Sequence, residues 1–317
     1  MTAAAAEPFW PLTPFAHPAL LYRDEQEYLD GTVPFVREGL EAGEPVAVAV
    51  PGGNLALIRD ALGADAGAVR LLDMREAGRN PGRIIPGVLR AFSDAQPAGR
   101  RVRIVGEPFW AGRSGTEYPA CAQHEALINA AFQGRPATIL CPYDSERLPG
   151  HVLADVYATH PTVIPAGSRT EQDSPTYAPG DVVDRYNEPL PVVPGALTLA
   201  FDSDSLSHAR HVAVGEGSRL GLTGVKLDDL ALAAAELVTN SVVHGGGTGE
   251  LRVWPEDGYV VCEVRDAGRL TDLLAGRRRV PRAQRGGRGL LLVNLIADLV
   301  RVHRGESGTT VRCWFAR

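Results

Sequence analysis

Between His160 and Ala196 the chain reads HPTVIPAGSRTEQDSPTYAPGDVVDRYNEPLPVVPGA, a stretch crowded with prolines and lacking a sustained apolar period. Proline fixes φ and removes a backbone donor, so such a stretch neither continues a helix nor enters the middle of a sheet. It reads as a semi-extended linker, and it divides the 317 residues into two folded parts. With 44% hydrophobic residues, each part is long enough to bury a core. The expected layout is an N-terminal tail at 1–14, a first domain at 15–165, the linker at 166–195 and a second domain at 196–317.

Charge and motif content exclude several classes. The formal net charge is −6, without the basic footprint that displaces counterions from phosphates, so no direct nucleic-acid binding is expected. The opening MTAAAAEPFWPLTPF has no basic region ahead of its apolar residues, and no later apolar run reaches the length of a bilayer span. A soluble cytoplasmic protein without membrane contact is expected. Cys121, Cys141, Cys262 and Cys313 are scattered, with no CxxC pair; neither a disulfide framework nor a zinc site is legible in that spacing. Lys226 is the one lysine, and its surroundings, GLTGVKLDD, lack the glycine frame and the Ser/Thr of a phosphate-binding P-loop.

Upstream of the linker, the apolar segments PVAVAV, VRLLDM, RVRIVGEP and ATILCPYD alternate with helical patterns at 24–42, 54–62, 83–96 and 120–133. That alternation predicts an α/β domain, a parallel sheet covered by helices. Downstream come a strand at 197–201, helices near 204–219 and 226–244, and strands at 250–254 and 259–265. A Gly/Arg-rich loop, a helix near 289–298 and strands around 299–304 and 309–315 follow. This grouping predicts an α+β sandwich.

Within it, AAAELVTNSVVHGGG carries Glu236, Asn240 and His244 four residues apart on an otherwise apolar run. On a helix they form one stripe. With Leu232, Leu237, Val238, Val242 and Val243 on the remaining surface, the helix is expected to be largely buried with the stripe facing a cavity. Unpartnered burial of a polar group costs roughly 1–3 kcal/mol, so something polar must meet these side chains. Taken alone, the helix leaves open an ordinary role in capping or ion pairing. Three further motifs follow in order: Asp266 and Gly268 in CEVRDAG, glycines before a helix in QRGGRGLLLVNLIADLV, and paired threonines in ESGTTVRCWF.

With these motifs, residues 196–317 resemble the Bergerat-type ATP-binding domain of the GHKL superfamily, shared by histidine kinases, DNA gyrase, Hsp90-type chaperones and anti-sigma-factor serine kinases. Within it they look most like the anti-sigma (RsbW-like) group. ELVTNSVVHG matches the N box, DAG and GGRGL the two glycine boxes, and GTTV the box closing the adenine pocket. The resemblance implies ATP with Mg²⁺. Asn240 would hold the metal through its side-chain oxygen, and Glu236 would orient or deprotonate the attacking nucleophile. Asp266 would accept from the adenine amino group, Gly268 would admit the ring, and Thr309 and Thr310 would complete adenine recognition. Gly286, Gly287 and Gly289 would form a lid whose amides, at the helix start near Leu290, face phosphate oxygens. Arg288 has two readings, a phosphate contact or a solvated surface charge. His244 likewise either lines the pocket or ends the helix, where a cation suits the dipole. Two departures stand out: Leu270 occupies the place of a second glycine in the DAG box, and the segment RLTDLLAGRRRVPRAQR is short and arginine-dense.

The N-terminal part, with HPALLYRDEQEYLDGTVPFVREGLEAGEPVAVAVP followed by VGEPFW and CPYD, resembles the MEDS (DcmR-like) sensory domain of bacterial signalling proteins. In VAVAVPGGNLALIRDAL a strand, a glycine turn and a helix succeed one another, the place where α/β sheets bind ligands. His17, Tyr22, Glu107, Trp110, His124, Tyr143 and Asp144 are candidates to line a sensory pocket, with capping and turn duty as the first reading of each. His124-Glu125 also has the form of a histidine-kinase phosphoacceptor, but no two-helix hairpin joins it directly to the ATPase-like part.

The expected function is a bacterial signalling regulator. It senses a small-molecule signal through the first domain and acts through the second as an anti-sigma factor and serine/threonine kinase, with a sigma factor or an antagonist protein as partner. A non-catalytic, nucleotide-dependent interaction module is the alternative, followed by a histidine kinase; a homodimer is left open.

Overall fold

A computed structural model describes residues 14–278 and 287–317. The chain forms two compact units whose limits interleave in sequence. One comprises the described residues up to Asp73 with Phe92–Ala111 and Phe132–Tyr177; the other comprises Met74–Ala91, Gly112–Ala131 and the described residues from Ala178 on.

The first unit is built on a sheet in the order Arg70–Asp73, Val46–Val50, Val102–Gly106, Ala137–Asp144, Pro18–Tyr22, Thr162–Ile164 and Gln172–Asp173. Neighbouring strands are parallel except for the last pair, and Phe15–Ala16 adds a short parallel pairing along Ala137. The helices Glu25–Glu41 and Gly52–Leu62 pack on it, so Val46–Val50 and Val102–Gly106 are buried throughout; the first is a continuous apolar run, and the second is interrupted only by Arg103, which is paired with Glu44. Asp24 caps the first of these helices by accepting from the Glu27 amide at 2.9 Å.

Two elements differ from the sequence reading. The strand Pro18–Tyr22 lies inside the sheet, yet its five residues are buried on both sides and show no alternation to announce it. The helix expected at 83–96 is broken into a 3₁₀ turn Pro81–Arg83, a wide π turn Ile85–Leu89 and a short helix Arg90–Ser93. Pro86 accounts for the break, because it has no N–H to continue an α-helical ladder.

The second unit holds an antiparallel sheet in the order Leu299–Gly305, Gly308–Ala316, Tyr259–Asp266, Thr248–Glu256 and Leu197–Asp202. On one face the helices Leu206–Arg219, Gly224–His244 and Gly289–Ile296 enclose a core that includes Leu230, Leu237, Leu251, Val264, Val293 and Phe315. The opposite face carries Trp254, Val261 and Trp314, packed with Ala120, Val193 and Ala196. There Arg312 donates to Glu263 at 2.7 Å and stacks over the Trp254 ring at 4.9 Å, a buried cation with both a charge partner and an aromatic face.

The proline-rich segment is more structured than a semi-extended linker. It contains the helix Pro179–Arg185. Asn187 then pairs with the edge strand, donating to the Arg304 carbonyl and accepting from the Arg304 amide, each at 2.8 Å. The Pro191 carbonyl accepts from Arg312 at 2.6 Å. The segment's strand Thr162–Ile164 lies between Pro18–Tyr22 and Gln172–Asp173 but holds no proline itself; the prolines from Pro165 onward fall outside the strands. Among the described residues no helix is long and apolar enough to cross a membrane.

Candidate functional site

The helix Gly224–His244 buries Leu230, Ala233, Ala234, Leu237, Val238 and Ser241, a stripe with the helical period that faces the antiparallel sheet. Leu232 is 39% and Val243 64% exposed, so the helix has one solvated side and is less buried than expected from its apolar residues. The polar stripe sits at the border of its buried face. Glu236 and Asn240 are half-buried and His244 is exposed.

A cavity of about 600 Å³ opens beside the end of this helix, within the range of small-ligand pockets. Asn240, His244, Asp266, Gly268, Gly287, Gly289, Leu290 and Thr309 all line it. These come from the long helix, from the adjacent strands Tyr259–Asp266 and Gly308–Ala316 and from the start of the helix Gly289–Ile296, which the antiparallel order brings side by side.

Asp266 is held from two directions. Ser241 donates to its Oδ2 at 2.6 Å and the Gly268 amide to its Oδ1 at 2.8 Å. Each carboxylate oxygen retains a lone pair to accept from a further donor. Thr309 Oγ1 donates to the Gly268 carbonyl at 2.7 Å, fixing the turn after Asp266 against the last strand. At Gly268 a β-carbon would come within 2.7 Å of the His244 carbonyl oxygen and the Gly245 Cα, so only glycine lets this turn pass the helix end.

At the other end of the cavity, Gly289 opens an eight-residue helix whose first turn follows Gly287 at φ +78°. A β-carbon on Gly289 would lie 2.6 Å from Glu236 Oε2 and 2.9 Å from Asn240 Nδ2. The helix start therefore rests directly on the carboxylate and carboxamide of the long helix. Glu236 stands one turn behind Asn240 in this contact.

Thr310 is not brought to the site. It pairs in register with Arg265 and His303 and, next to the cavity-lining Thr309 and Val311, points to the other face of the strand, because successive side chains alternate. Arg288 is exposed, and its carbonyl accepts the Leu292 amide at 2.8 Å to begin the helix. Gly286 lies outside the described residues. His244 meets both of its readings geometrically, as the last helical residue and at the cavity rim.

Several lining residues went unread in the sequence. Ser241 lies one position off the four-residue stripe, and only its register against Asp266 reveals it. Arg269 and Arg278 add cations to the lining, Arg278 paired with Asp272 at 2.5 Å. Leu270, the departure in the DAG box, faces the cavity. Gly276 lines it too, and Asn294 of the Gly289–Ile296 helix donates to its carbonyl at 3.1 Å.

In the first unit, Glu107 follows the strand Val102–Gly106 at its carboxyl end and is 3% exposed. Asn54, from the start of the helix after Val46–Val50, donates to both its oxygens at 3.1 and 2.8 Å, and the Tyr28 hydroxyl approaches at 3.4 Å. Burial pushes the carboxyl up to about 8, against the pull of these donors. The same burial, with Glu107 and Asp144 nearby, raises the Tyr22 hydroxyl above its ordinary range. Tyr22, Glu107 and Asp144 thus lie near one another at the carboxyl ends of their strands. His124, in the other unit, is 1% exposed, a poor position for a phosphoacceptor that must meet a nucleotide.

Residues 16–161 match the family described as MEthanogen/methylotroph, DcmR Sensory domain (MEDS), and residues 199–315 match the Histidine kinase-like ATPase domain. A serine-protein kinase RsbW from Halalkalibacterium halodurans is 28% identical over 127 residues, which cover 36% of this chain and 78% of that protein. The crystal structure of the RsbU and RsbW domains of Rv1364c from Mycobacterium tuberculosis is similar with a TM-score of 0.30 at 20% identity, covering 40% of this chain. The chain spans a third of that structure's length, 33%.

Proposed function

We propose that this chain, which joins a MEDS domain to an RsbW-like histidine kinase-like ATPase domain, binds ATP with Mg²⁺ in the cavity of its second unit and acts as an anti-sigma factor and serine/threonine kinase under control of a signal at the first. The observation that carries this reading is the convergence of Asn240, Asp266, Gly268, Gly289 and Thr309, distant in sequence, on one cavity.

The donor set fits the group. Asn240 and Glu236 offer hard oxygen ligands beside a glycine cradle that a β-carbon would fill. Asn240 would hold Mg²⁺, which when bound neutralises phosphate charge. Asp266, oriented by Ser241 and the Gly268 amide, would accept from the adenine amino group. Glu236 would orient a protein hydroxyl and take its proton, while the amides at Gly289 and Leu290 would face phosphate oxygens. The hydroxyl would belong to a serine or threonine of an antagonist protein, and a sigma factor is the second partner of this reading.

The test is calorimetric titration with ATP in the presence and absence of Mg²⁺, followed by phosphotransfer from labelled ATP to candidate antagonists. Saturable, Mg²⁺-dependent binding is expected, and no binding at millimolar ATP would overturn the proposal. A second reading, a nucleotide-dependent interaction module without catalysis, is favoured by Leu270 in the cavity lining. Glu236→Ala separates the two: retained binding with phosphotransfer abolished supports the kinase, whereas a wild type that transfers phosphate to no partner supports the module.

A further inference from the structure

The first unit contains a cluster with no part in the reading above. His17, just before the strand Pro18–Tyr22, Cys141 within Ala137–Asp144, and His160 at the end of the helix Gly150–Thr159 each present one potential ligand atom, all within 4.8 Å of one another. Their exposures are 1%, 1% and 0%. We propose that His17, Cys141 and His160 bind a zinc-class transition-metal ion inside the N-terminal unit.

Three observations support the assignment. His17 Nε2 lies 3.4 Å from Cys141 Sγ. Bonds of about 2.05 Å to nitrogen and 2.3 Å to sulfur, opened to a tetrahedral angle, set the two ligand atoms about 3.6 Å apart. The His17 and His160 rings stand tilted by 38° with centroids 4.2 Å apart, so both imidazoles reach the same small space beside the thiol.

His160 Nδ1 lies 2.9 Å from the Val156 carbonyl oxygen. Donation there assigns the proton to Nδ1 and leaves Nε2 as the basic nitrogen, the outer-shell arrangement that orients metal-binding imidazoles. Finally, two imidazoles and one thiolate form a borderline-soft donor set, suited to Zn²⁺ and Co²⁺ rather than Mg²⁺ or Ca²⁺. The ion would tie three elements that the chain brings together from distant positions. Because all three side chains are buried, it would enter as the unit folds or opens.

The alternative is a metal-free buried cluster in which His17 and Cys141 share only a weak hydrogen bond. Full-length protein, purified without a histidine tag and refolded in parallel with Zn²⁺ or Co²⁺, distinguishes the two. After desalting, elemental analysis is expected to find about one ion per chain in the wild type. The Co²⁺ form should show a thiolate-to-metal charge-transfer band.

Cys141→Ser should lose the band and His160→Gln the bound ion. Cys262→Ala, at a buried cysteine in the other unit, should keep both. Circular dichroism checks that each variant is folded; should His160→Gln fail to fold, His17→Asn replaces it, and the wild-type measurements stand independently. Absence of metal from the refolded wild type, or a charge-transfer band that persists in Cys141→Ser, would overturn the proposal.

Discussion

Gly289 and Glu236 meet so closely that a β-carbon on the glycine would stand 2.6 Å from the carboxylate oxygen Oε2. The start of the Gly289–Ile296 helix therefore closes on the long helix at the end of the cavity where phosphates are proposed to lie. Gly289→Ala is expected to push the two apart and weaken Mg²⁺-ATP binding about tenfold, or about 1.4 kcal/mol, with the far-ultraviolet circular dichroism unchanged. Isothermal titration of the two proteins checks this.

Ser241 is expected to act on the nucleotide through Asp266. Its hydroxyl is one of two groups orienting that carboxylate, and loss of one such hydrogen bond costs about 1–3 kcal/mol. Ser241→Ala should lower affinity for ATP severalfold and Asp266→Asn further. A larger loss in Ser241→Ala than in Asp266→Asn would contradict the assignment.

Glu107 makes the stability of the first unit depend on pH. Its carboxyl is raised from 4.5 to about 8, chiefly by burial. Between those values the folded unit holds a proton that the unfolded chain releases, so stability is greatest below the unfolded value and falls as pH rises through the folded one. The change is of order a few kcal/mol and levels off above about pH 8. Hydrogen exchange across Val102–Gly106 at about pH 5 and pH 8.5, corrected for intrinsic rates, should show the loss. Glu107→Gln, which mimics the protonated acid, should flatten it.

Lys226 has a structural duty. It donates to Asp298 at 2.7 Å, beside Arg79 and the Ala316 amide. Asp298 is buried, so Lys226→Met removes a charge partner and should destabilise the second unit by about 1–3 kcal/mol, read as a lower thermal midpoint. Lys226→Arg should recover much of it.

Much of the second unit was legible because its helices and strands alternate in period. The expected strands at 197–201 and 259–265 and the helix at 204–219 lie within two residues of Leu197–Asp202, Tyr259–Asp266 and Leu206–Arg219. The strand Pro18–Tyr22 was not legible, since burial on both faces erases the alternation that marks a strand. Nor was the role of Asn80, which lies in the segment matching the MEDS family yet donates to the Asn294 carbonyl at 2.8 Å within the second unit. A pairing over that separation leaves no local pattern.

By itself, the sequence determined the two fold classes and the order of the glycine-bearing motifs, because periodicity and turn chemistry act over a few residues. Only the tertiary structure decided which side chains share a space. It brought Ser241 to Asp266, turned Thr310 away from the cavity by strand alternation and gathered His17, Cys141 and His160 from separate elements. Such juxtapositions depend on strand order and register, which couple residues far apart along the chain.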